Sequence, residues 1–282
     1  MKKPGVLESA RMADVGPWDV ADIDTSSRSI KSAERTLALF ELFSLQERPL
    51  TVGEISRMLD IPQPSVSMLL RNLVKLGYLD HDRQARTFVP NIRIMLLGSW
   101  VHRRFNENLH LEEMLDRLLA RIGETVILAI QNGIWSQYVS AQMPEKPARM
   151  EVQSGLLRPI TCTAVGRVLL SNKADAEIEM IVRRCNAEVS EERLRVHPPT
   201  FLELIHRVRA AGFAETRGDM TPGYGAIAIA ISSPMSNIPM AVSVGATNDH
   251  LEQKHDLILD AMLELKARLA HSPDPEDSVS DT

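Results

Sequence analysis

Ser65, Ser67, Arg71, Asn72 and Lys75 fall at spacings that leave them together on the polar side of one helix. Arginine offers a bidentate fork to guanine, asparagine a matched donor and acceptor to adenine, and serine and lysine suit phosphate oxygens. That is the chemistry of a face that enters a DNA major groove. Arg83 and Arg86 follow in a polar turn and suit phosphate or minor-groove contact. A second group is different in kind. Thr161, Cys162, Thr163, Ala164 and Gly166 lie on a loop entering a helix, where free backbone N–H groups suit a carboxylate. Asp219 precedes a Pro222-Gly223 turn, and Ser243 sits in a buried-looking strand. An apolar pocket with a few such polar groups fits a small ligand. Each group also has a plain alternative: a solvated helix face, hydroxyls serving their own backbone, an inert buried thiol.

The elements that would position the first group are legible between Leu50 and Pro90. Thr51 with Glu54 makes a capping box, and Val52, Ile55, Met58 and Leu59 keep helical spacing. Asp60-Ile61-Pro62 ends that helix, because the residue before proline is pushed out of the helical region. Pro64 suits the first turn of the next helix, whose apolar stripe is Val66, Leu69, Leu70, Leu73 and Leu76; Met68 joins the outward polar face, and Gly77 stops the helix. Strand-like Tyr78-Leu79-Asp80 and Thr87-Phe88-Val89 flank the turn that carries Arg83 and Arg86. Helix, turn, helix and basic hairpin, in that order, spell a winged helix-turn-helix. A preceding helix over 32–45 packs on it through Ala33, Leu37, Phe40, Leu42 and Phe43. A helix over 92–105, apolar through Ile94, Leu96, Leu97 and Trp100, links the domains and is a natural dimer contact.

Beyond it the chain reads as an α+β domain. A helix over 109–121 leads to strands at 125–131 and 134–141, split by the hairpin signal Asn132-Gly133. Further helices are expected at 161–171, 174–184 and 200–211, strands at 213–217, 226–232 and 240–246, and one last helix over 249–269. The expected organisation is a flexible arm (1–27), a DNA-binding domain (28–91), a linker helix (92–107), an effector-binding domain (108–271) and a disordered acidic tail (272–282).

Composition sets bounds. With 282 residues, 44% hydrophobic and 24% charged, the chain has the makings of two ordinary globular domains. Its net charge of −5 hides an asymmetry: residues 28–107 carry 12 Lys plus Arg against 8 Asp plus Glu. A mildly basic head on an acidic remainder suits a module that meets phosphate. Cys162 and Cys185 make neither a disulfide framework nor a zinc pattern, and no cofactor is implied. The N-terminus lacks a signal-peptide core and no run reaches membrane-spanning length, so a cytoplasmic location is expected. An enzyme is not expected. His250 and His255 are five apart and do not share a helix face, His197 and His206 lack a third ligand, and no Gly-x-Ser-x-Gly turn or phosphate loop appears.

Over about residues 28–270 the chain resembles the IclR family of bacterial transcription regulators. The likeness is carried by Ile61 through Leu73 with Gly77-Tyr78, by Gly155 through Arg167, and by Gly212-Phe213-Ala214 with Gly218-Asp219, Pro222-Gly223 and Ile227-Ala228. The resemblance implies a winged helix, a linker helix and a GAF-like effector-binding domain. It also implies a homodimer or dimer of dimers that represses or activates a catabolic operon in response to a small organic or aromatic acid. Four positions depart from the family pattern: Met68 stands where arginine is frequent, Pro64 where serine is common, Thr161 for a frequent histidine and Asp219 for a frequent glutamate. The expected partners are therefore operator DNA, a small effector and a second copy of the chain. Two other readings stay open, a redox-responsive regulator triggered at Cys162 and a metabolite-binding protein without specific DNA binding.

Overall fold

A computed structural model describes residues 30–107, 111–145, 152–231 and 239–270. The expected N-terminal arm and acidic tail lie outside the described residues. The chain divides into two compact units, residues 1–100 and 101–282.

In the first unit, α1 (Lys31–Gln46), β1 (Leu50–Thr51), α2 (Val52–Met58) and α3 (Gln63–Lys75) precede the hairpin β2 (Leu79–Asp82) and β3 (Thr87–Pro90). The capping box on α2 forms. Thr51 Oγ1 accepts from the Glu54 N–H at 3.3 Å, and the Thr51 N–H donates to Glu54 Oε2 at 2.8 Å. The Thr51 backbone and hydroxyl bonds, with help from Arg48, hold the Glu54 carboxyl down at about 2. Between α2 and α3 the chain turns through Asp60 at φ 51°, and Ser56 Oγ donates to the Ile61 carbonyl at 2.6 Å. Val66, Leu70 and Leu73 of α3 then meet Leu39, Leu42 and Phe43 of α1 in one core with Ile55, Leu79 and Phe88.

Two apolar assignments need correction. Leu76, expected in the α3 stripe, is 49% exposed, because the helix ends at Lys75 and Gly77 swings the chain into β2. In α1 Leu39 joins Leu42 and Phe43 on the inward side; Leu37 is 63% exposed and Ala33 is exposed too. Strand β1 was not expected. It pairs Leu50 with Phe88 and Thr51 with Thr87, making a three-stranded sheet in the order β1-β3-β2.

Helix α4 (Arg93–Glu107) follows the hairpin. Arg93 fastens its start to the unit: its Nη1 donates to the Leu76 carbonyl at 2.8 Å, and its guanidinium lies 5.1 Å from the centre of the Tyr78 ring. Asn91 bridges from the other side, donating to both Asp80 carboxylate oxygens at 3.0 and 2.9 Å and accepting from the Arg93 N–H. Of the apolar residues expected on this helix, Leu96, Leu97 and Trp100 are exposed and Ile94 is half-buried.

The second unit is a six-stranded antiparallel sheet, β6-β5-β4-β9-β8-β7, with helices on both faces. Its strands are β4 (Thr125–Asn132), β5 (Trp135–Gln142), β6 (Leu157–Pro159), β7 (Phe213–Arg217), β8 (Tyr224–Ile231) and β9 (Met240–Thr247). Helices α5 (Leu111–Ile122) and α10 (His255–Ala270) cover one face, where Val242, Val244, Ile227 and Ile229 point. Helix α6 (Ala164–Ser171) lies on the other face with Ile127, Ala129, Ala228 and Ala241, backed by α8 (Pro198–Ala211) and α7 (Asp175–Glu188). Alternate residues of each strand serve opposite cores, as the pleat requires.

Three details differ from expectation. The β4–β5 hairpin closes one residue later, since Asn132 pairs with Trp135 and leaves Gly133 (φ 58°) and Ile134 as the loop. Strand β6 was not expected. The last helix is two, α9 (Asn248–Gln253) and α10, broken at Lys254, whose Nζ is drawn to the Ile122 carbonyl (2.9 Å) and to Glu124 (2.7 Å).

At the start of α10, His255 Nδ1 lies 3.1 Å from Asp256 and its Nε2 2.5 Å from Glu215 of β7. Hydrogen bonds to Asp256 and Glu215 raise its pKa above the ordinary 6.5. A raised value means that the folded state holds the proton more tightly. The stabilisation is therefore full below about pH 6.5 and fades as pH rises through the raised value. His255→Gln should lower the urea midpoint more at about pH 5.5 than at about pH 9. An equal loss at both would make the histidine a packing group only.

Candidate functional site

Arg71, Asn72 and Lys75 are exposed on α3, and Ser65 and Ser67 are half-buried on the same helix. The Arg71 Nε donates to the Ser67 carbonyl one turn back at 3.1 Å, so its guanidinium lies along the helix. The hairpin beside it is well made. Asp82 Oδ1 accepts from the N–H groups of Gln84 (2.8 Å) and Ala85 (3.0 Å), Arg86 takes a left-handed conformation at φ 54°, and His81 stacks on Phe88 at 4.3 Å. Arg83 and Arg86 stand exposed at this tip. A cationic helix face and a cationic hairpin tip thus belong to one small compact unit with a shared core. A surface of this form meets a polyanion through its arginines and lysine and has side chains to spare for base edges.

The second group sits around the start of α6. A 3-10 turn (Ile160–Cys162) leads into Thr163, which caps α6: its Oγ1 accepts from the Gly166 N–H at 3.0 Å and lies 2.8 Å from Ser136 Oγ of β5. One of the N–H groups expected to be free for a carboxylate is therefore used by the cap. Gly166 has a packing reason of its own: a Cβ there would stand 1.9 Å from the Ile160 carbonyl oxygen. Thr161 is fully buried with Oγ1 between two thiols, 3.6 Å from Cys162 Sγ and 3.4 Å from Cys185 Sγ. Burial pushes both thiols up, away from the reactive thiolate. Cys162 Sγ lies 3.2 Å from the Leu194 carbonyl, an inward and unreactive setting.

Asp219 is held by a residue that sequence reasoning did not single out. Arg167 of α6, almost wholly buried, donates through Nη2 to Asp219 Oδ1 at 2.5 Å and through Nη1 to the Glu215 carbonyl at 2.7 Å. Asp219 Oδ2 accepts from the Arg217 N–H at 2.8 Å. The loop that bears it turns at Gly218 (φ 87°) and Gly223 (φ 83°), and its Met220 packs against the cluster that holds both cysteines. Ser243, buried on β9, pairs with Ile127 and Ala228 and so shares their face of the sheet, the one under α6. All seven residues of the second group therefore belong to the α6 side of the domain. That side is unusually small-chained, with Ala129, Ala141, Ala226, Ala228, Ala230 and Ala241. An open groove between α5 and α10 lies across the sheet from it, lined in part by the ion pair Arg121–Glu264 (2.7 Å). Among the described residues no cluster of histidine, cysteine and carboxylate suits a metal ion.

Two family models match the chain: the C-terminal domain of bacterial transcriptional regulators of the IclR type over residues 108–271, and the IclR helix-turn-helix domain over residues 32–83. The chain belongs to the IclR family. Its relatives include the Pca regulon regulatory protein of Pseudomonas putida, 25% identical over 229 residues (79% of this chain, 78% of the relative). The transcriptional repressor AllR of Escherichia coli K12 is 22% identical over 256 residues (89% and 94%). Among solved structures, an IclR regulator from Alicyclobacillus acidocaldarius superposes with a TM-score of 0.69 at 19% identity, covering 86% of this chain and 99% of that one. An IclR homologue from Microbacterium hydrocarbonoxydans, solved with 4-hydroxybenzoate, gives 0.68 at 16% identity, covering 86% and 100%.

This IclR-family protein is thus a DNA-binding transcriptional regulator with an effector domain, and not an enzyme. No described helix is long and apolar enough to cross a membrane. Arg167 escaped the sequence reading because an arginine on a short helix looks like a solvated one. The signal available was its setting, Val165-Gly166-Arg167-Val168-Leu169-Leu170, an otherwise apolar run that cannot be exposed on any side.

Proposed function

We propose that this regulator holds operator DNA through α3 and the β2–β3 wing, and is switched by a small organic or aromatic acid in the domain of residues 108–271. The reading that residues 28–91 form the DNA-binding head and 92–107 the linker helix goes with it. The observation that carries the proposal is the exposed face of Arg71, Asn72 and Lys75 with the arginine-tipped wing on the same compact unit. Ser65 and Ser67, half-buried at its margin, suit phosphate contacts. On the effector side, Thr161, Cys162, Thr163, Ala164 and Gly166 at the head of α6, with Asp219 and Ser243, border the alanine-rich face of the sheet. Support for an organic acid comes from a structural neighbour that holds 4-hydroxybenzoate.

The switch is a difference in affinity. An effector that prefers one arrangement of two DNA-binding heads shifts the population towards it, by no more than that preference allows. Two heads require at least a dimer. The exposed apolar residues Ile92, Met95, Leu96 and Trp100 around the start of α4 support self-association there. The work is done where the chromosome is, in the cytoplasm.

Fluorescence anisotropy on the DNA upstream of the protein's own gene, against a scrambled duplex at two salt concentrations, tests the DNA reading. Binding to the native duplex should survive the higher salt, while binding to the scrambled one should not. Arg71→Ala should cost about 1–3 kcal/mol on the native duplex and much less on the scrambled one. Equal losses on both would make Arg71 a phosphate contact, and no loss on either would remove α3 from the interface.

A further inference from the structure

Met68 stands in the middle of α3 among the polar residues of the recognition face, and it is 67% exposed. It takes no part in the core that Val66, Leu70 and Leu73 build on the other side of the helix. Its neighbour Arg71 is poised in a specific way. The Nε–H is anchored on the Ser67 carbonyl, which belongs to the peptide leading into Met68, and the terminal N–H groups make no hydrogen bond among the described residues. The anchor brings the guanidinium back over the N-terminal turn, in the direction side chains take along a helix. A flexible apolar tip and a free cationic fork therefore lie one turn apart at the middle of the helix that enters the major groove in this motif.

The floor of the major groove has one apolar feature, the C5 methyl of thymine, and arginine's preferred partner there is the O6/N7 edge of guanine. We propose that Met68 and Arg71 read an adjacent thymine and guanine as a unit, with the Met68 thioether packed on the thymine methyl and the Arg71 fork on the guanine. The proposal rests on α3 being the recognition helix. It adds a specificity-determining residue to the polar set, and it commits each operator half-site to a thymine beside a guanine.

The test does not require the operator sequence at the outset. Duplexes are selected from a random library with the full-length protein. In the enriched duplex each thymine is then replaced in turn by deoxyuridine, which removes only the methyl, and each guanine by 7-deazaguanine, which removes only the N7 acceptor. One thymine per half-site, next to a guanine, should lose about fourfold in affinity, the worth of one buried methyl group. With Met68→Ala, and with Met68→Gln as a second variant at this exposed site, the deoxyuridine penalty should vanish while the 7-deazaguanine penalty remains. Arg71→Ala should show the reverse. The proposal is overturned if no thymine beside a guanine responds to loss of its methyl in the wild-type protein, or if the penalty persists in both Met68 variants. Failure to enrich any sequence, or an enriched duplex indifferent to Arg71→Ala and Lys75→Ala, would overturn the recognition-helix reading along with it.

Discussion

An Asp219→Ala variant should unfold about 3 kcal/mol more easily than the wild-type protein, the lower end of what breaking a buried ion pair costs. The asymmetry of the pair sets this expectation. Arg167 has a side chain only 9% exposed, whereas that of Asp219 is 32% exposed. Removing the carboxylate therefore leaves the guanidinium buried with one backbone carbonyl at Nη1, while its Nε is already buried without a partner. A buried cation short of acceptors is expensive, and α6 cannot turn it out to water without opening the core beneath. In a domain of this size the loss corresponds to a melting temperature lower by about 6–12 °C. Asp219→Asn, which keeps an oxygen in place but not the charge, should fall between the two. A melting temperature unchanged in Asp219→Ala would mean that the pair carries no stability.

Gly166→Ala should be at least as damaging, for a reason unrelated to charge. The added methyl would stand 1.9 Å from the Ile160 carbonyl oxygen and 2.7 Å from its carbon, both main-chain atoms that cannot rotate aside. Either α6 or the 3-10 turn must move, and each is locked in a core: α6 through Val165, Val168 and Leu169, the turn through Ile160. Overpacking typically costs about 1–3 kcal/mol, and a main-chain obstacle places this case at or above the upper figure. Gly98 is the natural control. It lies within α4 with nothing inside 4 Å of an added Cβ, so Gly98→Ala should stabilise its helix by about 0.5–1 kcal/mol. Urea titration of both variants checks the pair. Similar small effects at the two glycines would show that α6 has room to shift.

Local signals made the first unit easy to read and the second harder. Capping residues, Pro64 and the alternation around Arg83 and Arg86 specify α2, α3 and the wing within a residue or two, because each is decided by its own few side chains. Where apolar residues crowd a helix all round, sequence cannot choose the inward face: α1 has Leu37, Leu39, Phe40, Leu42 and Phe43, and only the core it packs into selects Leu39 over Leu37. Strand pairing is not local either. The pair β4–β9 joins residues more than a hundred apart, such as Ile127 and Ser243. That pairing puts Ser243 on the same face as α6. Thr161 and Cys162 attracted notice as polar atoms at a helix entry, yet Thr161 Oγ1 lies between the two thiols, one of them from α7. Part of the group proposed for the ligand is therefore also packing, and the residue that fixes Asp219, Arg167, is one that local signals do not mark.

The attachment of Arg93 has a mechanical consequence. Because its guanidinium ties the first turn of α4 to the Leu76 carbonyl at the end of α3, and Asn91 ties the same turn to the hairpin, the joint at which α4 leaves the first unit is braced on two sides. A twist applied at the beginning of α4 therefore acts on α3 and the β2–β3 hairpin together rather than on one of them alone.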